Sequence, residues 1–423
     1  MQTTGIPAKP KNRRWHAPPP LVRAPGEGVR GLAVLEEFAD EPGALLWRAL
    51  RSVTLWTEAS VAERESLFLR GSARRTLNDV RAADLPPEVK KPLRVIARMM
   101  GDAAATPAQE VADACAQLAR WADGRGKLET ALAFMQAAAL AAPDDARAAY
   151  ETGRFARRGA EYTRASGWFE EALSRALRLE NHAVHALAHI GMGNLHLQRG
   201  NFPKAQRSHT EALEIARRYR LREIEGMACH DLFVIADESS AFTAAENWAA
   251  AALHAYGPAH PRLVNLAHDV AVFWMNRGEF ARALPVMQAV LPHLLHDPLL
   301  PLGNLARAAG AVGDRKTFAE AWERLWQIVR RDVAGEHSAQ ALLDFAHGAA
   351  SLQEWSRAEE ASALALRHAA QRKLGQVQIQ AEAVHEQVRT RRLAVKAASM
   401  LDASGDALAA EFVSSLRSVP VAV

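Results

Sequence analysis

The sequence predicts an all-α protein built from about seven stacked helix pairs. Alanine is frequent and runs of β-branched residues are scarce, which favours helix. No stretch alternates apolar and polar residues as a half-buried strand would. An alanine also recurs at intervals of 34–40 residues, a period typical of stacked helical repeats. It falls at Ala131, Ala165, Ala205, Ala245, Ala283, Ala321 and Ala358.

The clearest copy of the repeat is the string LAHIGMGNLHLQRGNFPKAQRSHTEALEIA. We expect Gly193 to lie where two paired helices approach most closely and Gly200 to lie in the turn between them. Ala205 and Ala212 then follow on one face of the second helix. Small side chains at such a crossing allow an axial separation near the short end of the usual ~8–10 Å.

This pattern resembles the tetratricopeptide repeat (TPR), in the long variety found in kinesin light chains and in peptide-sensing bacterial TPR regulators. The resemblance covers about residues 108–370. It implies a right-handed superhelical solenoid in which the first helix of each pair lines a concave groove for a peptide or protein. The carboxylate clamp of some family members is not reproduced here, so binding of chaperone C-terminal tails is not expected.

Four segments follow from these signals. Residues 1–30 are proline-rich and poor in apolar residues, which predicts a disordered basic tail. Residues 31–104 predict an N-terminal helical cap or a small helical domain, with helices in GALLWRALRSVTLW and LPPEVKKPLRVIARMM. The TPR-like solenoid takes residues 105–370. Residues 371–423 predict two capping helices, a long one over LGQVQIQAEAVHEQVRTRRLAVKAASML and a shorter one over SGDALAAEFVSSLRSV.

The basic character of the chain belongs to its tail. The formal net charge is +4, and residues 1–30 contribute +5 of it from six basic residues and Glu27, so the remainder sums to −1. If the chain binds nucleic acid, we expect this only at the tail or at the C-terminal helix. The alternatives are that these basic residues are simply solvated, or that the tail contacts Asp231, Asp237 and Asp269. The basic residues concerned are Lys9, Lys11, Arg13, Arg14, Arg23, Arg30, Arg389, Arg391, Arg392 and Lys396.

No leader and no membrane segment are expected, which predicts a cytoplasmic protein. The N-terminus lacks the apolar core of a signal peptide, and the longest apolar stretch, ALAFMQAAALAAP, is too short for ~30 Å of hydrocarbon. Cys115 and Cys229 lie far apart and form no motif, as expected of buried residues in a reducing compartment.

Motifs that could carry chemistry are weak, so we expect no catalytic residue, no cofactor and no metal. The string GEGVRG fits GxGxxG, but a proline-rich tail precedes it instead of a strand. GAVGDRKT has Arg315 where a phosphate loop requires glycine. His185 and His189 lie one helical turn apart with no third acidic ligand, which favours packing histidines over a metal site.

Two successive repeats carry a His–Asp dipeptide in nearly the same register: His230–Asp231 and His268–Asp269. Because stacked repeats bring equivalent positions together, these dipeptides are expected to lie side by side as a small polar cluster. Acid–base chemistry is the alternative interpretation, but no nucleophile with a fixed partner accompanies the pairs.

The TPR resemblance implies that certain first-helix positions face the ligand. Arg147, Arg154 and Arg158 follow i, i+7, i+11 spacing and suit a carboxylate, because the guanidinium fork binds two oxygens. Asn194 corresponds to a family asparagine that hydrogen-bonds a peptide backbone. A solvated, ion-paired helix face is the alternative for the arginines. The candidate peptide-binding residues are Arg120, Arg147, Tyr150, Arg154, Arg157, Arg158, Asn194, Gln198, His230, Asp231, Asp237, His268, Asp269 and Asn276.

These observations favour a non-enzymatic scaffold or adaptor whose concave groove holds a peptide or protein segment. A ligand-responsive regulator acting on a partner protein or nucleic acid is the second hypothesis. A non-catalytic subunit of a larger enzyme complex is the third. Fold alone cannot choose between them, because one fold hosts many functions.

Overall fold

A computed structural model describes residues 33–294, 298–329, 337–392 and 403–420. These residues form 21 α-helices and no strand, which confirms the all-α prediction. The chain divides into two compact units, unit 1 up to Ile224 and unit 2 from Glu225. The boundary falls inside the helix that covers Arg222–Glu238.

Unit 1 begins with five helices that precede the repeats. Two of them coincide with the predicted helices, and the fifth starts at Pro87, where a missing N–H is tolerated. The five helices are α1 Ala33–Glu37, α2 Asp40–Glu58, α3 Val61–Arg64, α4 Ser72–Ala82 and α5 Pro87–Met99.

Three helix pairs follow in unit 1, at the positions that the alanine period predicts. They are α6 Ala108–Asp123 with α7 Leu128–Ala141, α8 Ala146–Arg158 with α9 Tyr162–Arg178, and α10 His182–Gln198 with α11 Phe202–Arg218. Helix α12, Arg222–Glu238, contains the boundary between the two units.

Unit 2 continues the pairing and ends with two further helices. After α12 come α13 Phe242–Tyr256, α14 Leu263–Asn276 with α15 Phe280–Val290, α16 Leu299–Val312 with α17 Arg315–Val329, and α18 Ser338–Ser351 with α19 Trp355–Gln371. A short 3₁₀ turn, Leu291–His293, extends α15. The last helices are α20 Gly375–Arg389 and α21 Ala403–Leu416.

The recurring alanines all lie on the second helix of a pair, and each is at most 2% exposed. In the third pair, a Cβ atom on Gly193 would overlap the buried ring of His209 on α11. Small residues therefore set the spacing between the paired helices, as predicted. Gly200 has φ of +69° in the turn between α10 and α11, a conformation that glycine adopts without strain.

Several other turns between helices place an ordinary residue in the same left-handed conformation. The φ values run from 52° to 64°. Each of these residues follows the end of one helix and precedes the next. They are Ala160, Glu180, Arg220, Ser240, Gln353 and Lys373.

The helices that precede the repeats pack directly on the first pair. Helix α5 packs on α6, and α1 and α2 pack on α7. The Glu37 carboxylate accepts hydrogen bonds from the backbone N–H groups of Glu129 and Thr130, at 3.2 and 2.7 Å. It thus satisfies donors that the start of α7 leaves open. Phe38 stacks on Trp121 with ring centroids 4.9 Å apart. The proposed domain boundaries and the handedness of the superhelix stay predictions.

The predicted long helix over residues 374–401 is wrong. Helix α20 ends at Arg389, and Arg391 has φ of +53°, which breaks the helical path. Arg391 and Arg392 therefore do not share a helix face with Arg389, and Lys396 lies outside the described residues.

The two C-terminal helices pack on different helices of unit 2. Helix α20 packs on α18 and α19, beside the last pair. Helix α21 instead packs on α13, α14 and α15. The prediction that α21 closes the end of the stack is therefore wrong, because its apolar face is buried against earlier helices.

Candidate functional site

The arginines of α8 in unit 1 form a charged surface held by two carboxylates, Glu151 and Asp123. Arg147 and Arg154 both contact Glu151, at 2.8 and 2.6 Å. Their guanidinium carbons lie 5.4 and 6.0 Å from the ring centroid of Tyr150, which is itself buried. Arg158 reaches Asp123 of α6 at 2.7 Å. We call Arg147, Arg154 and Arg158 the α8 arginine surface.

Four more predicted residues of unit 1 lie on the first helices α6, α8 and α10. Arg120 is exposed in the last turn of α6, and Gln198 is exposed at the end of α10. Asn194 lies half-buried on α10, which packs against α8. Arg157 is half-buried on α8. The predicted residues of unit 1 thus lie on the first helices of three successive pairs.

The His–Asp pairs of unit 2 do come together. Asp269 accepts hydrogen bonds from His230 Nε2 at 3.0 Å and from His268 Nδ1 at 3.4 Å. Because a carboxylate only accepts, His268 donates through Nδ1, and its Nε2 lies 3.1 Å from the amide nitrogen of Asn304. We call His230, Asp269, His268 and Asn304 the unit 2 polar cluster.

Hydrogen bonds from two histidines keep Asp269 of this cluster ionised. Burial by itself raises the pKa of Asp269, but the hydrogen bonds from His230 and His268 outweigh it and lower that pKa to about 2. Asp269 is therefore ionised throughout the physiological range, and it fixes the orientation of both imidazole rings. The cluster is a preorganised set of donors and acceptors spread over α12, α14 and α16.

Sequence reasoning missed the continuation of this cluster. Arg307 on α16 donates to the buried Asp344 of α18 at 3.1 Å. Burial raises the pKa of Asp344, although Arg307 opposes this effect. Burial, followed by the charge of Arg307, lowers the pKa of His347 to about 4. Asn304 also escaped prediction, because the sixth repeat is irregular and offers no register to carry over.

The remaining predicted residues of unit 2 lie on α12 and α14. Asp231 and Asp237 are half-buried on α12, and Asn276 is exposed at the end of α14. Burial, together with the neighbouring Glu238, raises the pKa of Asp237.

The histidines of α10 pack without forming a metal site. The rings of His185 and His189 lie 5.1 Å apart, and His189 Nδ1 contacts Glu211 at 2.9 Å. Burial, then His185, lowers the pKa of His189 to about 4. Over the part of the chain that the structure describes, no three His, Cys, Asp or Glu residues are arranged to hold a metal ion.

The other weak motifs either make structural contacts or lie outside the described residues. Arg315 of GAVGDRKT contacts Glu354 at 2.9 Å and the carbonyl of Leu352 at 3.0 Å, so it joins two pairs. Cys115 and Cys229 are buried free thiols, and burial raises the pKa of Cys115. The GEGVRG string and the basic tail lie outside the described residues. Among the described helices, none has the length and apolarity needed to cross a bilayer.

Solved structures with similar folds are also helical. Aspartyl phosphate phosphatase F from Bacillus subtilis is 11% identical, with a TM-score of 0.42 over 86% of this chain and 98% of that chain. A Rap protein complexed with competence and sporulation factor is 10% identical, with a TM-score of 0.34 over 82% and 97%. The TPR2AB domain of yeast Sti1 with pHSP90 is 14% identical, with a TM-score of 0.25 over 66% and 98%. Such low values assign no function to this chain.

The paired helices, their buried alanines and the charged first helices define a helical-repeat protein with binding surfaces of the solenoid type. Residues 144–218, which contain α8 to α11, match the family model described as tetratricopeptide repeat. This match covers two of the helix pairs. No curated protein gives a match, and the finer resemblance to kinesin light chains stays a prediction.

Proposed function

We propose that this protein is a non-enzymatic scaffold whose first helices hold a peptide or protein segment, with the α8 arginine surface binding an acidic part of it. The observation that carries the proposal is the charge of α8. This helix has four arginines against the single carboxylate of Glu151. Two of those arginines share that carboxylate.

The existing ion pairs do not prevent ligand binding. The side chains of Arg147, Arg154 and Arg158 are 55%, 45% and 45% exposed. Glu151 and Asp123 are only 16% and 29% exposed, so a ligand carboxylate binds beside them and uses further N–H donors, of which each guanidinium has five. The guanidinium forks then bind it through two hydrogen bonds each.

Asn194 supports the same proposal from the neighbouring first helix. Its amide can donate and accept at once, which matches the N–H and C=O of a peptide unit. Because α10 packs on α8, a segment held by the arginines extends naturally to Asn194.

A displayed library of random peptides tests the proposal without a known partner. Peptides selected on the full chain should be enriched in Asp and Glu. The triple variant R147A/R154A/R158A should lose this enrichment and should bind the selected peptides at least tenfold more weakly, since each charged hydrogen bond contributes about 1.5–3 kcal/mol.

The matched control removes three exposed arginines from second helices. R178A/R207A/R218A changes the net charge by the same amount, and all three positions are exposed. Its binding should equal that of the unchanged chain. Selected peptides without an acidic bias, or equal losses in both triple variants, would contradict the proposal. The regulator and complex-subunit hypotheses stay predictions.

A further inference from the structure

Helix α21 packs on helices that come well before α20 in the chain. It packs on α13, α14 and α15, whereas the preceding helix α20 packs on α18 and α19. Residues 393–402 join the two described parts. A ten-residue connection spans at most roughly 35 Å. Helix α21 therefore packs on earlier helices of unit 2, while the chain of residues 393–402 connects it to α20.

The contact has the pattern of a helix bound in a groove. Leu408, Phe412, Leu416 and Val419 are between 0% and 9% exposed, and they follow i, i+4, i+8, i+11 spacing. Such spacing aligns the anchors on one helix face, as in recognition of amphipathic helices. Phe412 meets Trp274 of α14 edge to face, with ring centroids 6.5 Å apart.

The surface beneath α21 is unsuited to exposure. Trp274 is 0% exposed, and its indole N–H donates to Glu246 at 3.1 Å. Arg282 lies over the indole at 4.6 Å, is 4% exposed, and pairs with Glu246 and Glu279. Loss of α21 would uncover an aromatic ring that water solvates poorly. A vacated groove therefore requires another helix.

The fit of α21 is incomplete along one side. A pocket of about 470 Å³ lies between α15 and α21, and it is lined by Pro285, Gln288, Ala289, Pro292, His293, Val413, Leu416, Arg417 and Val419. Dispersion contacts are missing wherever such space replaces packed atoms. Helix α21 therefore leaves space beside α15, whereas its Phe412 contacts Trp274 of α14.

We propose that this surface of α14 and α15 is a helix-binding site that α21 of a second copy of the chain occupies by exchange. The structure shows that α21 fits the groove, and a second copy carries the same helix. Reciprocal exchange buries the same anchors in both copies and needs no new interface. The tether raises the local concentration of α21 in its own chain, so exchange between copies grows with protein concentration.

Crosslinking between two single-cysteine chains tests the exchange. Gln288 and Arg417 line the same pocket, so Q288C is placed in one full-length preparation and R417C in another. After mixing and addition of a short bis-maleimide, a crosslinked dimer of the two variants is expected, in a yield that rises with concentration. Adding F412A to the R417C chain should lower that yield several-fold, because the anchor is lost.

The controls separate exchange from random collision and from occupancy within one chain. R417C mixed with Q371C, an exposed position on α19, should give only background dimer. The double variant Q288C/R417C reports crosslinking inside a single chain. If it crosslinks only as a monomer at every concentration, and the mixed single variants give no dimer above background, exchange does not occur and the proposal fails.

Discussion

Arg175 closes the end of a neighbouring helix with one buried guanidinium. It is 2% exposed and donates to the carbonyl oxygens of Ala139, Ala142 and Asp145, at 3.0, 3.4 and 3.3 Å. Its Nε contacts Glu171 at 2.8 Å. Because helix ends leave carbonyl oxygens without partners, a cation at the end of α7 satisfies both hydrogen bonding and the helix dipole.

We therefore expect R175M to lower the free energy of unfolding by about 2–5 kcal/mol, since several buried acceptors lose their charged donor. Urea denaturation followed by circular dichroism measures this change. R178M is the matched control, because Arg178 makes an exposed ion pair with Asp144 at 2.9 Å, and should cost less than about 1 kcal/mol. Equal losses in the two variants would contradict the assigned role of Arg175.

His347 makes stability depend on pH in unit 2. Burial and Arg307 lower its pKa from 6.5 to about 4, so the folded chain keeps it neutral while the unfolded chain takes up a proton below pH 6.5. Stability should therefore fall as the pH drops from 6.5 towards 4. The slope of the free energy of unfolding against pH is proportional to the number of protons taken up on unfolding, and H347Q should lower that number by up to about one. H254Q, at an exposed position, serves as the control and should keep the slope of the unchanged chain. Unfolding curves at several pH values measure both slopes.

Predictability at this scale depends on the regularity of the repeat. The contact of His230 with Asp269 follows from equivalent positions in stacked pairs, so the two dipeptides predict it. The partners Asn304 and Arg307 were missed because the sixth repeat gives no register. The sequence predicts an ion-paired helix face as the alternative for the arginines, but not that Arg147 and Arg154 share Glu151, because side-chain rotamers decide which groups pair.

Helices α16 and α18 meet through their backbones. A Cβ atom on Gly310 would overlap the carbonyl oxygen of Gly348, and one on Gly348 would overlap that of Ala306. Backbone atoms cannot move aside as a flexible side chain can. Glycine at these two positions is therefore a condition for the close approach of the two helices.

G310A should lower the free energy of unfolding by about 1–3 kcal/mol, because overpacking outweighs the helix propensity gained from alanine. G375A serves as its control, since no heavy atom lies within 4 Å of a Cβ built there. Chemical denaturation of the two variants compares them directly. A neutral or stabilising G310A would show that α16 and α18 do not pack as described.

At the level of elements, the sequence predicted helix identity better than helix ends or partners. The alanine period placed all seven second helices, because only a small side chain fits the crossing. The end of α20 was missed, because no glycine or proline marks it and Arg391 adopts the left-handed conformation. The place of α21 was missed because it depends on Trp274 and other residues far away in sequence.

The whole chain consists of two units whose contacts divide at Ile224 and Glu225. In repeat proteins each pair contacts mainly its neighbours, so a local loss of stability spreads only a short way. Native-state hydrogen exchange should show faster exchange in α7–α9 for R175M and in α16–α18 for G310A. Acceleration spread evenly over both units in either variant would mean that the chain opens as one cooperative body.

The left-handed turn residues offer a route to a more heat-resistant version of the chain. An ordinary side chain in that conformation costs roughly 1–2 kcal/mol, and glycine largely removes this cost. Ala160, Glu180, Arg220, Ser240, Gln353 and Lys373 stand in separate turns, so glycine substitutions there should add nearly independently. None of the six belongs to the α8 arginine surface or the unit 2 polar cluster. An engineer could thus raise thermal tolerance turn by turn while leaving the proposed binding residues in place.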